Sequence, residues 1–494
     1  MQNKKVLLIY PGHFGALFPE IPLPLLYIAW ALRKKDVDVE IFDARLQNIN
    51  TIENKDYLFV GITSMTGEML SSAIKAAKYI RNMNPAIPIV WGGVHVSLLP
   101  EQSLKSPYVD IVVSGEGELT VQELAETLLK KENLSQVQGI SFKHKGVVFT
   151  NPDRKFMDLD EIDIELSYDL IDLKRYSNVT FPMHTSRGCP WKCAFCYNLV
   201  FNKRRYRAKS VERVLDEIEY VVKKMGYSKL SFSYDDEFFI NLKWAKAICQ
   251  GIIDRNLNIE WDSFCRFDSF CHIDDETLDL IERSGCIGLS FGGESGSTRI
   301  RNEIIKKGIT TEQMLETTKR LSKRKITQVV SFMSGTPTET IHEQHQTFEL
   351  LNKLISINPN NLHPNAIVLY TPFPGTPLYE LVIREYGFVP PQSLEKWAEY
   401  GIFRNVGNTW SSKKYLNRCK TISILTRFPF YRSEFALKDV SSKIASTRFS
   451  KFPFNVVYYV FTKLAIWRWK YKFFRFPIEF LLLEKVLLKL RGFV

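Results

Sequence analysis

Three cysteines fall within eight residues, in Ser186-Arg187-Gly188-Cys189-Pro190-Trp191-Lys192-Cys193-Ala194-Phe195-Cys196-Tyr197. Thiolates at spacings of four and three can wrap one [4Fe–4S] cubane, each ligating a different iron. No fourth Cys is near, so one iron would lack a protein ligand and could chelate an amino and a carboxylate group of a bound molecule. The competing chemistry is zinc, whose structural sites use paired C-x₂₋₄-C arms and four ligands. No second arm is evident, and spacing alone leaves both chemistries open. The other five cysteines (249, 265, 271, 286 and 419) are scattered. They read as buried apolar residues of a cytosolic chain, and no disulfide framework is expected.

The elements that must position these thiols can be read from hydrophobic pattern. At 494 residues and 45% hydrophobic content the chain has room for two or three domains with real cores. Short apolar runs at Val6–Tyr10, Val39–Phe42, Tyr57–Thr63, Ile87–Trp91 and Asp110–Ser114 alternate with helical patterns at Leu23–Lys34, Leu70–Met83 and Val121–Leu129. This predicts an α/β domain with a doubly wound, flavodoxin-like parallel sheet over residues 1–150. Its strands end in Ser64-Met65-Thr66-Gly67, Gly92-Gly93 and Ser114-Gly115-Glu116-Gly117. Ligands of open α/β sheets sit at such carboxyl-end loops. Phe142–Phe149, around Lys145-Gly146, reads as a closing hairpin. The acidic, irregular segment 151–180 reads as a linker. A second α/β series follows over 181–400, with strands near 183–187, 229–234, 259–264, 287–291, 327–333 and 364–370, and helices such as Val211–Lys224 and Thr311–Arg324. Six such units predict a partial (β/α)6 barrel with its chemistry at the C-terminal ends of the strands, where the cysteines lie.

Further motifs follow in order. The barrel carries Tyr234-Asp235-Asp236-Glu237-Phe238, Phe291-Gly292-Gly293-Glu294-Ser295-Gly296-Ser297, Gly335-Thr336-Pro337-Thr338-Glu339-Thr340 and Pro372-Phe373-Pro374-Gly375-Thr376-Pro377. The N-terminal part carries Pro22-Leu23-Pro24-Leu25-Leu26-Tyr27, Trp91-Gly92-Gly93-Val94-His95 and Gly115-Glu116-Gly117-Glu118. With the C-x₃-C-x-aromatic-C triad, in which Phe195 is the aromatic residue, the chain resembles the cobalamin-binding (B12-binding) subfamily of the radical S-adenosylmethionine (SAM) superfamily over most of residues 1–385.

The resemblance implies three cofactors: a [4Fe–4S] cluster on Cys189, Cys193 and Cys196, SAM on its open iron, and cobalamin on the N-terminal sheet. SAM contacts are expected from Phe195 and Tyr197. Asp235, Asp236 and Glu237 would supply charge-assisted acceptors for its cationic amino group. Glu294, in its glycine-rich turn, would take the ribose hydroxyls. Arg266 would meet the methionine carboxylate or form a structural ion pair. Cobalamin contacts are expected from Ser64, Met65 and Thr66, from Gly92, Gly93, Val94 and His95, and from Ser114, Gly115, Glu116 and Gly117. No His lies in the D-x-H-x-x-G pattern that supplies a lower cobalt ligand in some cobalamin proteins; His13 sits in Pro11-Gly12-His13-Phe14-Gly15. The implied reaction is reductive cleavage of SAM to a 5′-deoxyadenosyl radical. The implied outcome is methylation of an unactivated carbon of a small or lipid-like metabolite, with an external electron donor of flavodoxin or ferredoxin type. A ring-forming enzyme of the magnesium-protoporphyrin cyclase type is the alternative, and a non-catalytic cobalamin or cluster sensor lies outside the enzyme class. A methylthiotransferase would need a second group of three cysteines.

Residues 401–494 differ in character. They carry a net charge of +15 against −3 for the first 400 residues, and 21 of the 64 aromatics. Phe476–Arg491 reads as a helix too apolar for a nucleic-acid arm. The expectation is a mainly helical basic tail, either a cap on the barrel or a peripheral contact with anionic lipid on the inner membrane face. No export signal or membrane span is expected, and a cytoplasmic location follows.

Overall fold

The computed structural model describes residues 5–12, 19–176, 180–400, 408–426, 454–471 and Ile478. It divides into two units. The first comprises residues 1–264, 275–286 and 372–407, and the second comprises 265–274, 287–371 and 408–494.

The N-terminal sheet lies in the first unit. Its elements are β1 (Lys5–Tyr10), α1 (Leu23–Arg33), β2 (Asp38–Asp43), β3 (Phe59–Thr63), α2 (Glu68–Met83), β4 (Ile89–Gly92), α3 (Val94–Leu98), α4 (Pro100–Leu104), β5 (Ile111–Val113), α5 (Glu118–Lys130) and the hairpin β6 (Ile140–His144) and β7 (Val147–Thr150). Strand order is β2-β1-β3-β4-β5-β6-β7. The first five strands are parallel and β6 and β7 antiparallel. This is the flavodoxin-like 2-1-3-4-5 order. Val6, Leu7, Leu8 and Ile9 of β1 are all buried, as a central parallel strand covered on both faces requires. Each such side chain contributes about 1.5–3 kcal/mol by leaving water.

The second series runs β8 (Phe181–Pro182), β9 (Ser186–Arg187), β10 (Arg207–Ala208), α6 (Val211–Lys223), β11 (Lys229–Ser231), α7 (Leu242–Asp254), β12 (Glu260–Phe264), α8 (Phe267–Phe270), α9 (Asp275–Arg283), β13 (Cys286–Glu294), α10 (Thr311–Leu321), β14 (Thr327–Ser334), α11 (Ile341–Ile357), β15 (Leu362–Leu369), α12 (Pro377–Tyr386) and α13 (Leu394–Ala398). In the first unit β8, β11 and β12 are parallel. In the second, β13, β14 and β15 are parallel. Helices α10 and α11 open with reciprocal capping boxes, Thr310 with Gln313 and Thr340 with Glu343.

One barrel strand departs from expectation. The run near 183–187 splits: Phe181–Pro182 pairs with β11, while Ser186–Arg187 forms an antiparallel ribbon with β10. The cause is Asp235, whose carboxylate accepts from the amides of Thr185 (2.7 Å) and Ser186 (2.9 Å) and draws the chain out of the sheet. The expected linker carries short 3-10 turns within its described residues 151–176. It is tied down within the first unit: Arg33 donates to Asp169 (2.6 Å), the Tyr176 hydroxyl to Asp43 (3.2 Å), and the Ser210 amide to Asp160 (2.7 Å).

In the C-terminal region α14 (Lys413–Thr426) and α15 (Phe454–Lys470) are described; Phe476–Arg491 and His13 lie outside the described residues, with the exception of Ile478. Helix α14 belongs to the core of the second unit, where Tyr415 and Cys419 cluster with Leu369 of β15. The Tyr415 hydroxyl donates to Glu339 (2.8 Å) and the Trp410 indole to the Gly335 carbonyl (2.8 Å). Among the described residues no helix is long and apolar enough to cross a membrane. Burial pushes the Glu339 carboxyl up to about 7 despite donors from Tyr415, Gly335 and Ser334. Tyr415→Phe removes one of those donors, and melting of the second unit is expected to show a loss of about 1–3 kcal/mol. An unchanged melting curve would contradict this account of how α14 is held.

Candidate functional site

The cysteines lie on the loop between β9 and β10. The loop opens at Gly188, whose φ of +86° suits glycine, and an added Cβ would stand 1.9 Å from the Arg205 carbonyl oxygen. The Asp236 carboxylate accepts from the Gly188 amide (2.8 Å) and from the Asn198 side chain, so one carboxylate grips both sides of the triad. The Cys196 amide donates to the Cys193 carbonyl (3.0 Å), and the Leu378 amide to the Ala194 carbonyl (3.0 Å). Burial is the main force pushing the Cys196 thiol up to about 12, and the neighbouring Cys193, Asp236 and Cys189 add to it. No cysteine forms a disulfide.

Three soft thiolate donors on one braced loop fit an iron–sulfur cubane. Among the described residues no three His, Cys, Asp or Glu converge as ligands of a single metal ion. A cubane does not require them to, since each thiolate takes a different iron.

The three carboxylates after β11 do not act alike. Asp235 is 1% exposed and spends its oxygens on Thr185 and Ser186; burial pushes its carboxyl up to about 7 while these donors pull it down. Glu237, also 1% exposed, accepts from the Phe239 amide (3.0 Å). Both shape the loop, in place of the expected role as open acceptors. Asp236 does face the cavity described below. Phe195 is half-buried on the loop, and Tyr197 lines the cavity with its ring edge-on to Phe201 at 6.1 Å.

In the second unit, Glu294 ends β13 at φ +59° and accepts from the Lys307 ammonium (2.8 Å). Arg266 is 6% exposed. Its guanidinium forks onto Asp268 at 2.9 Å through Nε and Nη2, and Nη2 also donates to the Lys307 carbonyl (2.7 Å). Of the two roles expected for Arg266, the structure gives it the ion pair.

A cavity of about 800 Å³ opens in the first unit over the carboxyl ends of β3, β4 and β5. Its wall takes Ser64, Met65 and Thr66 from the first turn, Gly92, Gly93 and Val94 from the second, and Gly115, Glu116 and Gly117 from the third. Tyr197, Asn202 and Asp236 line it from the cysteine side. Gly93 has φ +94°, and a Cβ there would meet the Ser64 carbonyl oxygen at 2.5 Å. A backbone packed this closely leaves an open concave face, which fits a large planar cofactor resting on the strand ends.

Two expected contacts are absent from that wall. Ser114 turns its amide to the Gly139 carbonyl (2.9 Å). His95 is fully buried behind the first turn, where its Nδ1 shares a 2.9 Å hydrogen bond with the Thr66 hydroxyl and its ring stands edge-on to Trp397 at 5.7 Å. Trp397 is fixed in turn by its indole N–H on Gln102 (2.6 Å). No sequence motif marks Trp397; its one signal is a lone tryptophan in the polar stretch Ser393-Leu394-Glu395-Lys396-Trp397-Ala398-Glu399.

Burial pushes the His95 imidazole down to about 3. The unfolded chain therefore takes up this proton first, and stability is lost as pH falls from about 6.5 towards 3, by about 1.4 kcal/mol per unit for a buried group. Thermal melting from pH 7.5 to 5.5 is expected to show that decline in the native chain and a shallower one in His95→Phe.

The radical SAM superfamily model matches residues 183–351 and the B12 binding domain model residues 16–125. An uncharacterized methyltransferase of Pyrococcus horikoshii is 34% identical over 399 residues, which cover 78% of this chain and 84% of that one. The chain is a cobalamin-binding radical SAM enzyme. Its cofactors are a [4Fe–4S] cluster, SAM and cobalamin, and it belongs with the methyltransferases of that family. The anaerobic magnesium-protoporphyrin IX monomethyl ester cyclase of Rubrivivax gelatinosus is 26% identical over 78% of this chain and 73% of its own. Two solved structures share the fold of this radical SAM enzyme. One is the cobalamin-dependent SAM radical enzyme OxsB with aqua-cobalamin and SAM bound (TM-score 0.72, 19% identity, 99% of this chain and 75% of that one). The other is the radical SAM methyltransferase TsrM of Kitasatospora setae (TM-score 0.64, 18% identity, 78% and 77%).

Proposed function

We propose that the chain methylates an unactivated carbon of a small or lipid-like metabolite, with Cys189, Cys193 and Cys196 as the cluster ligands. The observation that carries this reading is that one cavity is bounded by the turns after β3, β4 and β5 and by the cysteine loop. When bound, the cluster and SAM supply reductive cleavage to a 5′-deoxyadenosyl radical, and cobalamin supplies a methyl carrier. The chain's own work is placement. Asp235 and Asp236 hold the cysteine loop, and Asp236, which lines the cavity, also offers an acceptor for the SAM amino group. Gly92, Gly93 and Gly115 let a corrin approach the backbone, Met65 and Val94 give it apolar contact, and His95 braces Thr66 from behind. Glu294 and Arg266 act in the second unit as anchors of its strand-end loops, Glu294 also as acceptor for the ribose.

Anaerobically reconstituted protein, a flavodoxin or ferredoxin as donor, and SAM carrying a ¹³C methyl group test this on a metabolite and lipid extract. The expected result is ¹³C in one extract component together with 5′-deoxyadenosine. Deoxyadenosine with no labelled component would replace the methyl-transfer reading by ring formation, as in the relatives named as cyclases.

A cytoplasmic protein with peripheral contact to anionic lipid is part of the proposal. The support is the basic tail and the exposure of Val460 and Trp467, which share one face of α15, and of Tyr471 just beyond its end. Failure to float with anionic vesicles at low salt would remove that part alone.

A further inference from the structure

Arg187 and Arg207 bracket the cysteine loop and sit directly opposite each other in the β9–β10 ribbon. Opposed like charges in an antiparallel pair repel, so both guanidinium groups need carboxylate partners. Both find them on one turn, Glu116 and Glu118, at the start of α5. Arg187 donates through Nη2 to Glu118 (2.7 Å), its Nη1 lies 3.4 Å from Glu116, and Arg207 donates to Glu116. The Arg187 guanidinium also lies over the Tyr27 ring at 4.9 Å. The side chains of Arg187 and Glu118 are 9% and 5% exposed.

A buried ion pair adds little net stability, because desolvating two charges offsets their attraction; its better-attested use is to fix one arrangement among several. We infer that the Glu118–Arg187 pair, with Glu116 and Arg207 beside it, is a tether that sets the separation of the cysteine loop from the turn after β5, and so the separation of the two bound cofactors. The inference rests on the reading of that cavity as the shared cofactor site. Arg187 and Glu118 are positioning residues: they act through the loops they join. Reacting atoms have to be held near contact distance, so a tether between these loops decides whether cleavage of SAM is coupled to transfer.

The test uses full-length protein loaded with cluster and cobalamin and reads the dipolar coupling between the reduced cluster and cob(II)alamin by electron paramagnetic resonance. Two variants are compared with the native chain. Glu118→Gln/Arg187→Met removes both charges and leaves none buried alone, and Arg187→Lys keeps the charge without the planar fork. The native chain is expected to give a resolved splitting. The double variant should lose it, and Arg187→Lys should broaden it, with iron and cobalamin content unchanged in both. The same splitting in both variants would overturn the tether. A double variant that no longer melts cooperatively, or that loads neither cofactor, would assign the pair to stability and overturn it as well. A native chain that binds the cluster but no cobalamin would count against the shared-site reading instead.

Discussion

Replacing Cys189, Cys193 and Cys196 together with Ala is expected to bring 5′-deoxyadenosine formation from reduced, reconstituted protein down to the level of a protein-free control, and bound iron with it. No other cysteine can substitute. Cys249, Cys265, Cys286 and Cys419 are buried in the packing of their own elements, and Cys271 is exposed beyond β12. The loss should be chemical, because Asp236 on the Gly188 amide and the Leu378 amide on the Ala194 carbonyl hold the loop backbone and both remain in the triple variant. The triple variant is therefore expected to melt within a few degrees of the native apoprotein, and Cys271→Ser to cleave SAM normally. Deoxyadenosine above background from the triple variant would remove the cysteines from the reaction.

The second large effect separates the two cofactors. Gly93→Ala places a Cβ 2.5 Å from the Ser64 carbonyl oxygen and 2.8 Å from its amide nitrogen, at a φ of +94°. Neither neighbour is a flexible side-chain end, so the turn after β3 must move, and with it the wall that Ser64, Met65 and Thr66 supply. An affinity loss of at least about tenfold for cobalamin corresponds to only about 1.4 kcal/mol, which a backbone contact of this kind readily costs. Gly146→Ala is the control: it also sits at positive φ (+81°), its Cβ would meet nothing within 4 Å, and it lies in the turn between β6 and β7, outside the cavity wall. The expected pattern is weak cobalamin binding in Gly93→Ala, near-native binding in Gly146→Ala, and undiminished iron content in both. Equal cobalamin affinities in an equilibrium titration would show that the turn does not cradle the ligand.

Much of this site could be read in the sequence because its signals are local. The cysteine spacing, the glycine turns and the period-2 and period-3.6 patterns each act within a few residues, and they led to the doubly wound parallel sheet and to the loops that line the cavity. The parts that were not legible depend on long-range partners. Asp235, Asp236 and Glu237 look equivalent in a row of three acids. Their roles diverge because Asp235 meets the amides of Thr185 and Ser186, Glu237 meets Phe239, and Asp236 reaches Gly188 and Asn198. His95 sits in a turn that otherwise faces the ligand, but Thr66 and Trp397 turn it inward. Arg266 carries its carboxylate partner two residues away at Asp268, a spacing that on its own does not distinguish a structural ion pair from a ligand contact. The tail's composition suggested a surface; burial of Tyr415 and Cys419 makes α14 part of a core.

The prop behind the Thr66 turn reaches it late in the life of the chain. Trp397 is synthesised 295 residues after the Gln102 it hydrogen-bonds. The sheet itself ends at Thr150, 247 residues before Trp397, and at ~5–20 residues per second that leaves about 12–50 s during which the N-terminal sheet is complete on the ribosome and its ligand turn is still unbraced. Cobalamin capture should therefore be a late event of biogenesis, following emergence of α13 rather than completion of the sheet. Nascent chains stalled short of residue 390 would then hold cobalamin more weakly than chains stalled after α13 has cleared the exit tunnel.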